Sequence, residues 1–282
     1  MHDFPTTRIS LSALGQLALT LQEHRQDIVL VGGWAPCFIL QEHSFEHSGS
    51  VDIDLALRKD VLRQMPSVNI REIFESLGYQ SRTDSKFYRD LLPSSRGEID
   101  AIRVDLLCDR EGENCSLGIA RPITDGIQAH AFDGMSIAFD CNRDRRIQFE
   151  LDGTPQETTF KVIDLAGLLA LKANSFVNRP FVSEDYQEKR SKDAYDIYAL
   201  THYGDDSRQA AEYFIQSISN VSPGNLRFLA QSVGYLNTHF RETDQDGPKY
   251  VDYYMEDDST DYKPRVVGQL TEFLDHLDPI VL

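Results

Sequence analysis

The sequence has no apolar run near the ~20 residues that a membrane-spanning helix needs. Its N-terminus lacks the basic-then-apolar pattern of a secretory leader, which sets a cytoplasmic expectation. Cysteine is sparse: Cys37, Cys108, Cys115 and Cys141 form no C-x-x-C pair, which argues against a zinc knuckle and for reduced thiols. Basic residues are few, 28 Lys+Arg against 45 Asp+Glu, for a formal net charge of −17. That balance argues against a broad nucleic-acid-binding surface, though not against a local basic groove or a metal-mediated phosphate site. G-x-S-x-G and G-x-x-x-x-G-K-[ST] are absent, which disfavours a serine hydrolase and a P-loop NTPase. His43 and His47 are four residues apart, but H-E-x-x-H is absent and their segment reads as loop. They are read as solvated or substrate-facing, not as zinc ligands.

Two features stand out among what is present. Ile28-Val29-Leu30-Val31 is a buried-strand pattern that stops at Gly32-Gly33, and a helical stretch follows from Trp34 to about Gln41. Pro36 suits the first turn of that helix. The next apolar run, Val51-Asp52-Ile53-Asp54-Leu55-Ala56-Leu57, carries two acids. Strand side chains alternate, so Asp52 and Asp54 are expected on one face and Val51, Ile53 and Leu55 on the other. A second acidic strand, able to present a third carboxylate, follows in Ile102-Arg103-Val104-Asp105-Leu106-Leu107-Cys108, where Arg103, Asp105 and Leu107 share a face. Three carboxylates on two strands form a hard oxygen set suited to Mg²⁺, and glycines at a strand-to-helix turn let phosphate approach the backbone. Trp34 is bulky beside such a turn; it can pack under the sheet or stack on a base.

The expected organisation is a mixed α/β sheet with flanking helices, residues 1–160, followed by a helical domain, residues 161–282. Helices are expected at 10–24, with Ser10 as cap and Ile9 as hydrophobic staple, and at 68–77, ending at Gly78. Residues 42–50 and 109–127 read as loops, 79–88 as a strand-and-turn region, and 137–139, 147–151 and 159–162 as short strands. Asp164 is expected to cap a helix from Leu165 to Val177. Further helices are expected at 190–202, 207–218, 224–238 and 266–277. The acidic, tyrosine-bearing stretch 242–262 reads as a solvated loop, with a docking patch for a basic partner as the alternative.

The C-terminal half carries a second set. Lys172 is the only charge in the helix that starts at Leu165, and Asn174 and Ser175 beside it suggest a partly accessible face. Arg179 follows two turns later. In Lys192-Asp193-Ala194-Tyr195-Asp196, Asp193 and Asp196 share a helix face, as do Lys192 and Asp196. Ordinary salt bridges between two helices are the plain alternative to a phosphate-binding role.

The order Gly-Gly, Asp-x-Asp, strand Asp, lysine helix and Lys-Asp-x-x-Asp resembles the AbiEii-type nucleotidyltransferases across roughly residues 28 to 200. These are DNA-polymerase-β-like enzymes that include toxins of toxin–antitoxin and abortive-infection systems. The resemblance implies a nucleotidyltransferase fold, phosphate contact at Gly32 and Gly33, and Mg²⁺ at Asp52 and Asp54. Asp105 matches the third carboxylate of the wider superfamily, as metal ligand or as base for the acceptor. Lys172 matches the helix lysine required for activity, and Asp193 is the functional member of its pair, with Lys192 beside it toward the nucleotide.

The function so implied is Mg²⁺-dependent transfer of a nucleoside monophosphate from an NTP to a hydroxyl of tRNA or protein. A cognate antitoxin is an implied partner, and no membrane is. Nucleotidylation of an antibiotic or another small molecule is the rival within the same chemistry. A non-catalytic binding protein on the same fold is the rival outside it.

Overall fold

The computed structural model describes residues 5–40, 49–60, 70–83, 86–90, 101–110, 120–124, 127–179, 185–202, 206–255 and 260–277. His43, His47, Cys115 and most of the expected 42–50 loop lie outside them. The chain divides into two compact units. The first comprises Met1–Phe38 and Ser48–Ile163, the second Ile39–His47 and Asp164–Leu282.

The first unit is built on one mixed sheet. Its elements, in chain order, are α1 (Pro5–Thr20), β1 (Ile28–Val31), α2 (Ala35–Ile39), β2 (Ile53–Leu57), α3 (Ile70–Ser76), β3 (Gln80–Thr83), β4 (Lys86–Asp90), β5 (Ala101–Asp109), β6 (Ala120–Thr124), β7 (Ile127–Phe132), α4 (Ile137–Asp140), β8 (Asn142–Leu151) and β9 (Thr154–Ile163). The strands run β3-β4-β5-β2-β1-β9-β8 across the sheet, with β6 and β7 attached beside β5. β1 is antiparallel to β2, and β2 is parallel to β5. β5 is long enough to take β4 along Ala101–Asp105 and β7 along Leu107–Asp109 on the same edge.

The alternation in β2 and β5 divides acid from core. Ile53, Leu55, Ile102, Val104, Leu106 and Cys108 are buried. The core continues through the unbroken apolar run of β1, buried at all four positions, as expected of a strand with neighbours on both sides and both faces covered.

Several sequence expectations are overturned. β2 begins at Ile53, and Val51 is exposed in the bend before it. α1 begins at Pro5, so Ser10 lies inside the helix and does not cap it. The Ser10 hydroxyl donates to the Val51 carbonyl at 2.9 Å and accepts from Trp34 Nε1 at 3.1 Å. Ile9 is 40% exposed and therefore staples nothing. Residues 137–139, expected as a strand, form α4, and β6 occupies part of the expected 109–127 loop. The two short strands expected near 147–151 and 159–162 belong to a hairpin with ten residues per arm. Its two-residue turn, Asp152-Gly153, has positive φ at both positions, the geometry that matches strand twist in a tight hairpin. β8 forms one margin of the sheet and carries Arg143, Asp144, Arg145 and Arg146, charges of the kind that discourage edge-to-edge pairing.

The second unit is helical in its described residues: α5 (Leu165–Asn178), α6 (Tyr186–Leu200), α7 (Ser207–Ser217), α8 (Pro223–Phe240), α9 (Asp246–Met255) and α10 (Lys263–Leu277). α5 is apolar nearly all round and is the central element, packing on α6, α7 and α8. Asp164 caps it, accepting from the Leu165 N–H at 3.0 Å. α9 corrects the reading of 242–262 as a loop: Gly247, Pro248 and Val251 are buried and the helix packs against α6.

Candidate active site

Strand register brings the acidic residues of the first unit together. Val31 pairs with Asp54, Asp54 with Asp105, and Asp105 with Lys86, making one row across β1, β2, β5 and β4. Neighbouring strands are ~4.8 Å apart, so Asp54 and Asp105 stand side by side. Two like charges in directly opposed positions are unfavourable unless a cation lies between them.

Arg103 supplies that cation. It lies two residues before Asp105 on the same face of β5. Its Nη2 contacts Asp52 Oδ2, and its Nε is 3.1 Å from Asp105 Oδ2. Burial opposes the guanidinium charge, but the fields of Asp105, Asp52 and Asp54 outweigh it and raise the pKa. Asp52 and Asp105 therefore meet on one side chain, which Asp54 reaches only through its field. Lys86 Nζ is more distant, 4.0 Å from Asp105 Oδ1. That oxygen is buried and accepts no hydrogen bond.

The glycine bend touches this row. Gly32 has φ +67°, and a Cβ built on it would collide with the Asp54 carboxylate. Gly33 and Trp34 are buried. The indole packs beside Phe38, with ring centroids 6.1 Å apart, and against Gly49, while its N–H reaches Ser10. Of the two roles open to Trp34, the structure selects packing.

Carboxylate oxygens alone suit a hard divalent cation. The in-register Asp54–Asp105 pair offers oxygens of that kind, but Arg103 and Lys86 already pair with Asp105. Among the described residues no group of three or more His, Cys, Asp or Glu is placed to hold a metal ion. Arg103 contacts both Asp52 and Asp105.

The second set of expected residues lies in the second unit. Lys172 Nζ is 3.0 Å from Asp193 Oδ1 and 2.6 Å from Asp196 Oδ2. Ser175 Oγ donates to Asp193 Oδ2 at 2.8 Å, and Arg179 Nη2 contacts the same oxygen. Burial works against the ammonium, yet Asp196 and Asp193 outweigh it and push the Lys172 pKa up. The face expected to be partly accessible is so: Lys172, Asn174 and Ser175 are all half-buried, the Lys172 side chain 12% exposed with its charge balanced by two carboxylates. Asp193 does hold Lys172, but Asp196, fully buried, approaches it more closely. Lys192 is half-buried on the same helix.

The sequence reading did not foresee the roles of Arg103 and Lys86. Arg103 carried a usable signal, the alternation Arg103-x-Asp105. Lys86 carried none, because its place beside Asp105 depends on how β4 registers on β5.

No protein-family model and no curated protein sequence matches this chain.

Proposed function

We propose that the first unit is a Mg²⁺-dependent nucleotidyltransferase that moves a nucleoside monophosphate from an NTP to a hydroxyl acceptor. One observation carries the reading: Asp54 and Asp105 are register partners on adjacent parallel strands, with the Gly32 bend pressed against the first of them. Asp54 and Asp105, with Asp52, would hold the ion. Bound there, Mg²⁺ would neutralise triphosphate charge and acidify the acceptor hydroxyl. Gly32, half-buried, would meet the β,γ-phosphates from the side that does not face Asp54, with the buried Gly33 supporting the bend. The acceptor oxygen bonds to the α-phosphorus as the α,β-bridging oxygen departs with pyrophosphate. The acceptor proton passes to solvent or, where Asp105 is not a ligand of the ion, to its carboxylate. Lys172 and Asp193 tie α5 to α6 in this reading. Their ion pairs argue against a second duty at phosphate.

The acidic chain favours a small molecule, a protein, or RNA gripped in a local groove. Incubation with each α-labelled NTP and Mg²⁺, in parallel with total RNA, total protein, an aminoglycoside and a lincosamide, identifies both nucleotide and acceptor. Labelling that survives unchanged in D54N and D105N defeats the proposal.

A non-catalytic binding protein is the second reading, and Arg103 favours it, because a permanent guanidinium would occupy the cation position for good. It predicts no turnover with any NTP.

A further inference from the structure

A cleft of about 380 Å³ opens at the β3 margin of the sheet, within the size range of small-molecule sites. α3 contributes Arg71 and Glu75 to its lining, and the chain that follows contributes Gly78, Tyr79, Gln80 and Ser81. Arg71 and Glu75 are four residues apart, roughly 5–6 Å at Cβ, where opposite charges can pair along a helix. Among the described residues no ion pair joins them, and the Arg71 guanidinium lies over the Phe87 ring, 6.0 Å from its centroid. A guanidinium has five N–H donors and can serve a ligand as well as its protein contacts. Tyr79 supplies a second, separate observation. It is 1% exposed, and its hydroxyl is buried with no hydrogen-bond partner among the described residues. Phe74 packs edge-on at 5.8 Å and the Arg89 guanidinium lies over the ring at 5.1 Å, so these neighbours fix the ring without satisfying the hydroxyl. Burial pushes the phenol pKa up to about 12 despite Arg89, so the group stays an O–H donor. A buried donor without an acceptor is costly, and native structures seldom carry one without a reason.

We propose that this cleft binds a free α-amino acid as its zwitterion, with the carboxylate on Arg71, the ammonium on Glu75 and a hydrogen bond from the Tyr79 hydroxyl to the ligand. A zwitterion completes a charge pair that the helix leaves open. The same pair selects against simple ions, because Glu75 repels an anion and Arg71 repels a cation. The volume leaves room beyond the ligand's charged groups for a large side chain. The inference does not depend on the nucleotidyltransferase reading: β4 and β5 lie between β3 and the strand that carries Asp54.

The test uses the full chain and each proteinogenic L-amino acid, screened by thermal shift and then titrated by calorimetry. At least one with a large side chain is expected to raise the melting temperature and to bind with a Kd below about 1 mM. Its N-acetyl derivative lacks the ammonium and its amide lacks the carboxylate, so each is expected to bind about tenfold or more weakly. Glu75 is exposed, so E75Q is expected to fold as wild type does. In E75Q the amino acid should lose its advantage over the N-acetyl derivative, because the group that reads the ammonium is gone. Y79F is expected to bind about fivefold or more weakly, while the ligand-free variant melts no lower than wild type, since an unbonded hydroxyl contributes no contact. A purely structural role for Tyr79 would leave affinity unmoved. No amino acid binding, or a bound amino acid whose affinity E75Q or Y79F leaves unchanged, overturns the inference.

Discussion

Gly32 and Asp54 are in direct contact across the β1–β2 pair: the left-handed backbone of Gly32 (φ +67°) lies against the Asp54 carboxylate, with no room between them for a Cβ. The glycine that ends the first strand is thus required by the acid on the second. Two separate features of the sequence turn out to be one structural unit.

That contact sets the first prediction. Gly32→Ala is expected to destabilise the protein by about 1–3 kcal/mol from backbone strain alone, and by more from the collision with Asp54. Urea unfolding measures the total. In a D54A background the clash with the carboxylate disappears, and only the 2.8 Å approach to the Cβ of residue 54 and the strain remain, so G32A should cost less there. Equal costs in the two backgrounds would show that the contact has no energetic weight.

The second prediction concerns the row Asp54–Asp105. D54N and D105N each remove a charged oxygen donor from one site, and each is expected to lower nucleotide transfer about 10²-fold or more. Because the two acids act as one unit, D54N/D105N should be little worse than either single variant. Single-turnover kinetics with an α-labelled NTP measures this. Costs that multiply would mean that the carboxylates work independently.

How much of this was legible beforehand depends on the range of the interaction. Ile28–Val31, Asp164 as helix cap and the buried face of β5 were readable, because unbroken apolar runs, alternation and capping are local signals. The hairpin turn at Asp152-Gly153 was also written in the chain, as a dipeptide with positive-φ preference, although the sequence reading used only the strands on either side. Ile137-Ala138-Phe139 was misread because three apolar residues fit a strand or a helical turn equally well. The 246–255 helix was hidden by acidic composition, which masks the buried stripe of Gly247, Pro248 and Val251. In the candidate site, the strand alternation placed Asp54 and Asp105, whereas Asp52 lies in the bend before β2. Alternation could not put the Arg103 guanidinium among the acids or Lys86 beside Asp105, because register between distant strands is a tertiary outcome.

The third prediction follows from Lys172, which is enclosed by Asp193 and Asp196. K172M leaves two buried carboxylates without their shared ammonium and is expected to cost about 3–5 kcal/mol. The pH dependence has a definite sign. The folded state raises the Lys172 pKa above its ordinary 10.5. Its stabilising contribution is therefore complete below pH 10.5, and is lost as pH rises from there through the folded-state value. Urea midpoints of wild type and K172M should converge above pH 10.5 and differ by a constant amount at lower pH. A gap that stays constant through the alkaline range would contradict the assignment.

The fourth prediction tests Asp164, which does more than cap α5. Its Oδ1 accepts from the Leu165 N–H at 3.0 Å and from the Tyr213 hydroxyl at 2.6 Å, while Oδ2 accepts from Ser217 Oγ at 3.1 Å. One carboxylate therefore joins the start of α5 to α7. Losing a cap costs ~0.5–2 kcal/mol, and stranding a buried hydroxyl adds ~1–3 kcal/mol. D164A should lose about the sum of these, and D164N less, because an amide oxygen still accepts one bond. Y213F removes the stranded donor, so D164A should cost less in a Y213F background than in wild type. Urea unfolding of the four-member cycle gives the coupling directly. Strictly additive costs would mean that the 2.6 Å hydrogen bond contributes nothing, leaving Ser217 as the link from Asp164 to α7.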